Sequence, residues 1–394
     1  MDPVSNPFAP GAGTPPPELA GRDLVLETAR IALARVRQRR PARSLMLLGL
    51  RGVGKTVLLN HIEQLATDLQ YHTVVLEAPE DRRLADMLVP PLRSLLVRMS
   101  RVERAKQVAR RGLGALRAFA GAFSVKIGDI EFGVEATPGT ADSGVLEFDL
   151  PELLASVGEA AGMADTAVAL FIDEVQYLSA EELGALIVAL HRCQQKNLPL
   201  IVFGAGLPQV AGLVGEVKSY AERLFEYPEM GRLDAEAAVN AIRAPLERAG
   251  VIITPDALRV VLEQTEGYPY FLQEWGAKSW NAAPASPITE SDVLRATDDA
   301  LEQLDQGFFR VRLDRLTPRE RNYVRALAEL GPGPYRSGEI AHVLGLKVTA
   351  AGPLRAGVIR KGMIYSQQHG ETAFTVPMFD AFLRRTIPDW KPHG

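Results

Sequence analysis

Residues 44 to 62 read SLMLLGLRGVGKTVLLNHI, and this stretch restricts the fold more tightly than any other. SLMLL is an apolar run of strand length, and VLLNHIEQLATDL, beyond the glycines, repeats apolar residues at helical spacing. Between them GLRGVGKT fits G-x-x-x-x-G-K-[ST] over Gly49 to Thr56. A strand that breaks into such a loop and restarts as a helix can turn its backbone N–H groups inward. They then form a concave nest for phosphate oxygens at a helix N-terminus. The expected cradle is Gly49, Gly52, Val53, Gly54, Lys55, Thr56 and Val57. Lys55 is placed to reach the outer phosphates, and the Thr56 hydroxyl to complete a Mg²⁺ shell. The competing reading, a glycine-rich turn that holds nothing, does not explain why both flanks agree with the octet.

A phosphate cradle hydrolyses nothing without carboxylates, one near the metal and one to activate water. AVALFIDEVQYL supplies a strand over residues 167–172 that ends in Asp173 and Glu174. Asp173, with Thr56, is the expected metal-site residue, holding a magnesium-bound water. Glu174 is the expected base that orients and deprotonates the attacking one. The cofactors implied are ATP and Mg²⁺.

These two motifs, with what lies between and after them, resemble the AAA+ ATPases, in the branch near origin-recognition ATPases and STAND-type signalling ATPases. The resemblance implies an α/β P-loop core with a five-stranded parallel sheet, a helical lid and a C-terminal winged helix. The strands can be laid out at 44–48, 73–77, 167–172, 199–203 and 224–227, alternating with helical stretches. PPPELAGRD is similar to the segment lining the adenine pocket, with Leu19, Gly21 and Arg22 at the matching positions. Where the family carries a polar sensor after the fourth strand, this chain has Gly204, Ala205 and Gly206. Arg223 precedes the fifth strand, where the family places an arginine finger for a neighbouring subunit. The alternative is a helix-end arginine neutralising Glu222. TEGYPYFLQEW resembles the Gly-x-Pro element of STAND-type ATPases at Gly267 to Pro269, which brings Pro269 to the nucleotide.

Residues 1–17, rich in proline, glycine and small side chains, are expected to be a flexible segment without regular structure. Residues 18–230 make the nucleotide-binding domain, 231–306 a lid of four amphipathic helices and 307–394 the winged-helix domain. Within the first lies an insertion, 80–148: two helical pieces, then FSVKIGDIEFGVE, which alternates around Gly128-Asp129 as a hairpin does. From Arg93 to Arg117 it carries eight Lys and Arg against Glu103 alone. The bland reading is a solvated basic face. Origin-type ATPases place a DNA-touching insertion there, which makes Arg110 and Arg111 candidate DNA contacts.

From LTPRERNYVRALAELG onward, three helices, a hairpin around Gln368-His369-Gly370 and a closing helix give the layout of a winged helix. Twelve Lys and Arg stand against six Asp and Glu over residues 315–394, a local +6 within a chain of net −4. That is the footprint of a DNA-binding face. Lys347, Thr349 and Arg355 are the expected groove-facing residues, with His369 at the wing tip and Gly352-Pro353 distorting the helix. Winged helices also bind proteins. Duplex DNA, a protein partner and a second subunit reached through Arg223 are therefore the partners to test. A metabolic kinase on the same loop is disfavoured because no acceptor-substrate site is recognisable. A single cysteine, Cys193, forms no internal disulfide, and no apolar run reaches the ~18 residues needed to cross a bilayer. The start does not read as a signal peptide. A cytoplasmic protein is expected.

Overall fold

The computed structural model describes all residues except 12, 80, 126–131, 367–369 and 393–394. The α/β core runs α1 (Asp23–Arg37), β1 (Ser44–Gly49), α2 (Lys55–Asp68), β2 (Tyr71–Glu77), α3 (Leu84–Met99), α4 (Lys106–Ala122), α5 (Leu146–Met163) and β3 (Ala167–Asp173). It continues through α6 (Ala180–Gln195), β4 (Leu200–Gly206), α7 (Val210–Val217), β5 (Phe225–Glu226) and β6 (Glu229–Met230). The strands pair in parallel in the order β2-β3-β4-β1-β5, and β6 also pairs with β1. The expected fifth strand is thus two short pieces on either side of Pro228. Proline has no N–H to give a ladder, but the Pro228 carbonyl accepts from the Leu48 amide at 3.2 Å.

Both sheet faces are covered, so the central strands read as continuous apolar runs rather than alternating ones. Met46, Leu48, Leu170 and Ile172 face α3 to α7, while Leu45, Leu47, Phe171 and Phe203 face α1 and α2. The helices of the expected insertion pack into the core. Leu88, Leu92, Leu116, Phe119 and Leu150 build α3, α4 and α5 into the same apolar layer. Gly112 makes this possible: a Cβ there would stand 2.9 Å from the Leu96 side chain. Only the outer face of α4 keeps its charge, with Arg110 and Arg111 exposed. The expected hairpin at Gly128-Asp129 lies outside the described residues.

The lid comprises α8 (Ala235–Arg248), α9 (Pro255–Thr265), α10 (Pro269–Ala282) and α11 (Glu290–Gln303). Thr254 caps α9 through the Ala257 amide, with Pro255 in its first turn. The rod of α11 continues through a π-helical turn, Leu304–Phe309, into α12 (Arg310–Asp314), across the expected boundary at 306/307. There α13 (Pro318–Leu330), β7 (Tyr335–Arg336), α14 (Ser337–Leu344), α15 (Val348–Arg360), β8 (Ile364–Tyr365), β9 (Glu371–Phe374) and α16 (Phe379–Thr386) follow. The capping box at the start of α13 is formed, Thr317 and Glu320 each accepting from the other's amide. The three short strands pair antiparallel in the order β7-β9-β8. α15 runs unbroken through Gly352-Pro353.

Lid and terminal module are not two separately cored domains. Phe309, from the joining turn, packs its ring 5.8 Å from Phe379 and 5.1 Å from Phe382. Arg385 of α16 pairs with Asp305 at 2.6 Å. One apolar core spans both. The N-terminal segment joins it too, contrary to the expected flexibility. Phe8 is buried against Gly276 of α10, the Trp280 indole donates to the Asp2 carbonyl at 2.8 Å, and Asn6 donates to the Ala277 carbonyl at 3.0 Å. A proline-rich backbone makes few hydrogen bonds of its own, so side-chain docking orders it. Among the described residues no helix is long and apolar enough to cross a membrane.

Candidate active site

The glycine loop closes β1 and opens α2. Gly49 is confined there because a Cβ would lie 2.0 Å from the Met230 carbonyl oxygen. Gly52 and Gly54 adopt φ of +82° and +87°, in the left-handed region that a side chain would strain. α2 starts at Lys55 with no side chain capping its first turn, so its leading N–H groups face outward unclaimed by a side chain. That is a seat for an anion. Lys55 is buried and donates from Nζ to the carbonyls of Gly49 and Leu50 at 2.9 and 2.8 Å. Burial pushes its pKa down to about 8, against the attraction of Glu174 and Asp173.

Asp173 ends β3, two strands from the loop. Its Oδ2 accepts from Thr56 Oγ1 at 2.6 Å across the end of β4, and its Oδ1 accepts from the Glu174 amide at 2.8 Å. Burial holds the Asp173 carboxyl above its usual range, and the Thr56 hydrogen bond opposes that. The two residues expected to share a metal therefore already converge. Glu174 follows with φ of +54°, a left-handed backbone that turns it away from the strand.

Gln176 was not singled out from the sequence. Its amide donates to the Glu174 carboxylate, and its Oε1 accepts from the Leu207 amide at 3.0 Å, just past β4. It fills the place that the glycines of β4 leave open, for a Cβ on Gly206 would stand 3.0 Å from that Oε1. A glutamine two residues beyond an acidic pair carries no sequence signal by itself.

Loop, lid, N-terminal segment and α12 together enclose a cavity of about 370 Å³, lined by Gly52 to Val57, Glu174, Pro269 and Tyr270 among others. Tyr270 donates its amide to the Gly52 carbonyl at 3.1 Å, tying α10 to the loop. Ala9, Pro10, Gly13 and Thr14 line it as well, so the N-terminal segment forms part of the wall. Arg22 donates to the Val53 and Gly231 carbonyls at 3.2 and 2.8 Å. Arg51 and Arg312 also line the cavity. Among the described residues none of Arg22, Arg51, Lys55 and Arg312 makes an ion pair.

The other candidates lie elsewhere. Arg223 ends a single 3₁₀ turn before β5; it is exposed and pairs with no carboxylate among the described residues, Glu222 included. Lys347 and Thr349 are exposed at the start of α15. Arg355 is half-buried on α15. Its guanidinium donates to Thr372 Oγ1, Ser366 Oγ and the Glu371 carbonyl, all at 2.8 Å, so it ties α15 to its own hairpin. His369 lies outside the described residues.

Residues 18–203 match a family model described as an AAA ATPase domain, and 306–383 match one described only as a domain of unknown function. The α/β core over residues 18–203 is thus similar to AAA ATPase domains. The AAA core here has the fold of a P-loop ATPase, in agreement with a Walker-type ATPase of Pyrococcus abyssi. That structure is 16% identical, with 93% of this chain and 96% of that one covered and a TM-score of 0.58. Looser overlaps include the Orc1 protein of Aeropyrum pernix in complex with DNA (15% identity, 94% of each chain, TM-score 0.44). The Thermotoga maritima RuvB Holliday junction branch migration motor is another (17%, 90% and 92%, TM-score 0.45). No curated protein matches the chain.

Proposed function

We propose that this AAA ATPase is a nucleotide-operated switch: it binds ATP with Mg²⁺, hydrolyses it slowly and engages duplex DNA in its ATP-bound form. The observation that carries the reading is a cavity at an uncapped helix N-terminus, whose wall includes Arg22, Arg51, Lys55 and Arg312, none of them in an ion pair among the described residues. A polyanionic ligand would relieve the repulsion among them. Among the described residues no group of three or more His, Cys, Asp or Glu could hold a metal alone. Thr56 and Asp173 would hold Mg²⁺ only together with phosphate oxygens and water, which suits an ion that arrives with its nucleotide. Bound there, the ion would neutralise charge on the outer phosphates. Lys55 supplies a cation to the same oxygens. Glu174, steadied by Gln176, orients water and takes its proton. Arg223, exposed and unpaired, is available to the nucleotide of a neighbouring subunit.

The order helix, strand, two helices, two strands supports reading the terminal module as a winged helix. Lys347 and Thr349 at the start of α15, with Arg110 and Arg111 on α4, are then the groove and backbone contacts. Filter binding to duplex DNA with ATP, ADP and no nucleotide tests the coupling, with tightest retention expected with ATP. Equal affinity in all three would remove it. A steep loss of affinity with salt is expected of phosphate contacts.

A second reading, a signalling switch whose terminal module binds a protein, is favoured by one observation. Arg321, Arg325, Lys361, Arg384 and Arg385 are paired with acidic side chains of the same body, so less of the local positive charge is free for DNA. A shallow salt dependence would select this reading. Either way a cytoplasmic setting is the reading we adopt, with Cys193 buried and free.

A further inference from the structure

Two of the cavity's cations come from opposite bodies of the protein. Arg51 is the third residue of the loop octet; Arg312 rises from α12, on the body built of lid and terminal module. Arg51 Nη2 donates to the Tyr177 hydroxyl at 3.0 Å, and its Nε is buried with no hydrogen-bond partner. Arg312 Nη1 donates to the Phe308 carbonyl at 2.6 Å, and its guanidinium lies 3.8 Å from the centre of the Phe308 ring. That ring stacks on Tyr270 at 5.0 Å, which fixes the arginine over the cavity. Burial and the nearby Arg51 pull Arg312 down to about 10, and Arg51 also opposes the charge on Lys55. The two guanidinium groups thus line one cavity, neither in an ion pair among the described residues and neither with all its donors used.

Arg51 also belongs to the seam between the bodies. Its amide donates to the Thr375 carbonyl at 2.9 Å, one residue past β9, and a Cβ on Gly362 would stand 3.0 Å from its Nη2. A change in what the Arg51 side chain holds is therefore felt directly by the terminal module.

We propose that Arg51 and Arg312 together grip the terminal phosphate of a bound nucleoside triphosphate, and that this grip draws the lid and terminal module onto the α/β core. The inference rests on the nucleotide site proposed above. Each planar guanidinium fork can meet two phosphate oxygens, which a lysine cannot do. With a diphosphate the shared anion is gone, the two cations repel and the seam at Arg51 and Thr375 loosens. The terminal module thereby distinguishes triphosphate from diphosphate.

The test measures equilibrium binding of ATP and ADP, each with Mg²⁺, to the parent chain, Arg312→Ala, Arg312→Lys, Arg51→Ala and Lys55→Ala. Amide hydrogen exchange at Arg51 is followed alongside, with ADP or a slow-hydrolysing ATP analogue. The parent should prefer ATP. Arg312→Ala and Arg51→Ala should each reduce that preference ~10-fold or more, the worth of a charge-assisted hydrogen bond. A far-UV circular dichroism spectrum like the parent's shows that the variants are folded, and Arg312→Lys should keep part of the preference. The Arg51 amide should be better protected with the ATP analogue than with ADP in the parent, and equally protected in Arg312→Ala. Parental ATP-to-ADP ratios in both alanine variants, or a parental exchange difference in Arg312→Ala, would overturn the proposal. If the parent itself bound neither nucleotide, the underlying site would have failed instead. If Lys55→Ala alone lost binding while both arginine variants kept the parental ratio, only the arginine assignment would fall.

Discussion

Replacing Lys55 by Met separates what the loop lysine does for the fold from what it does for a ligand. Methionine keeps the length of the aliphatic stem and removes the charge. Burial lowers the Lys55 pKa from 10.5 to about 8. At about 1.36 kcal/mol per unit, holding that charge in the folded protein costs ~3 kcal/mol. The two hydrogen bonds to Gly49 and Leu50 return ~1 kcal/mol each. Near pH 7 the variant and parent should therefore differ little. Their difference must change with pH, however. Between about 8 and 10.5 the unfolded chain still carries the lysine proton that the folded protein has shed, so raising pH stabilises the parent and leaves the variant untouched. From pH 8 to 9.5 the gap should shift by ~2 kcal/mol in favour of the parent, read from urea unfolding of both at each pH. A gap independent of pH over that range would refute the desolvated lysine. By the same linkage, ATP affinity of the parent should weaken by up to ~10-fold per pH unit above about 8, as the free protein loses the proton that binding requires.

Glu174→Gln should keep ATP binding at the parental Kd and lose turnover by ~100-fold or more, measured as phosphate release; hydrolysis at the parental rate would show that another group activates water. Gln176→Ala should lower kcat ~10-fold with KM unchanged, because Glu174 loses its orienting partner while the cradle stays intact. A change confined to KM would show that Gln176 serves binding instead.

Local signals were strong where the chain's own periodicity sets structure. SLMLL and AVALFI became β1 and β3 because both sheet faces are buried, and the glycine octet became a loop because Gly52 and Gly54 occupy φ values that a side chain would strain. Thr254-Pro255 and the Thr317–Glu320 box marked helix starts through hydrogen bonds confined to a few residues. What the sequence hid depends on distant packing. Phe8 looks like one aromatic residue in a proline-rich tail until Gly276 gives it a seat. The lid and terminal module fuse through Phe309, Phe379 and Phe382, whose spacing announces no shared core. Arg312 is one of three arginines in RVRLDR, and only the fold directs it at the loop while its neighbours lie exposed. Arg355 shows the converse: its charge suggested a nucleic-acid contact, whereas the fold turns its Nε and Nη2 to partners inside the module.

Titration calorimetry of the purified chain with ATP and Mg²⁺, beside Lys55→Ala, bears most directly on the central claim. Saturable binding of one nucleotide per chain is expected for the parent and none for the variant. No heat or saturation with the parent, or the same isotherm for both proteins, would contradict a triphosphate site at the Gly49–Thr56 loop.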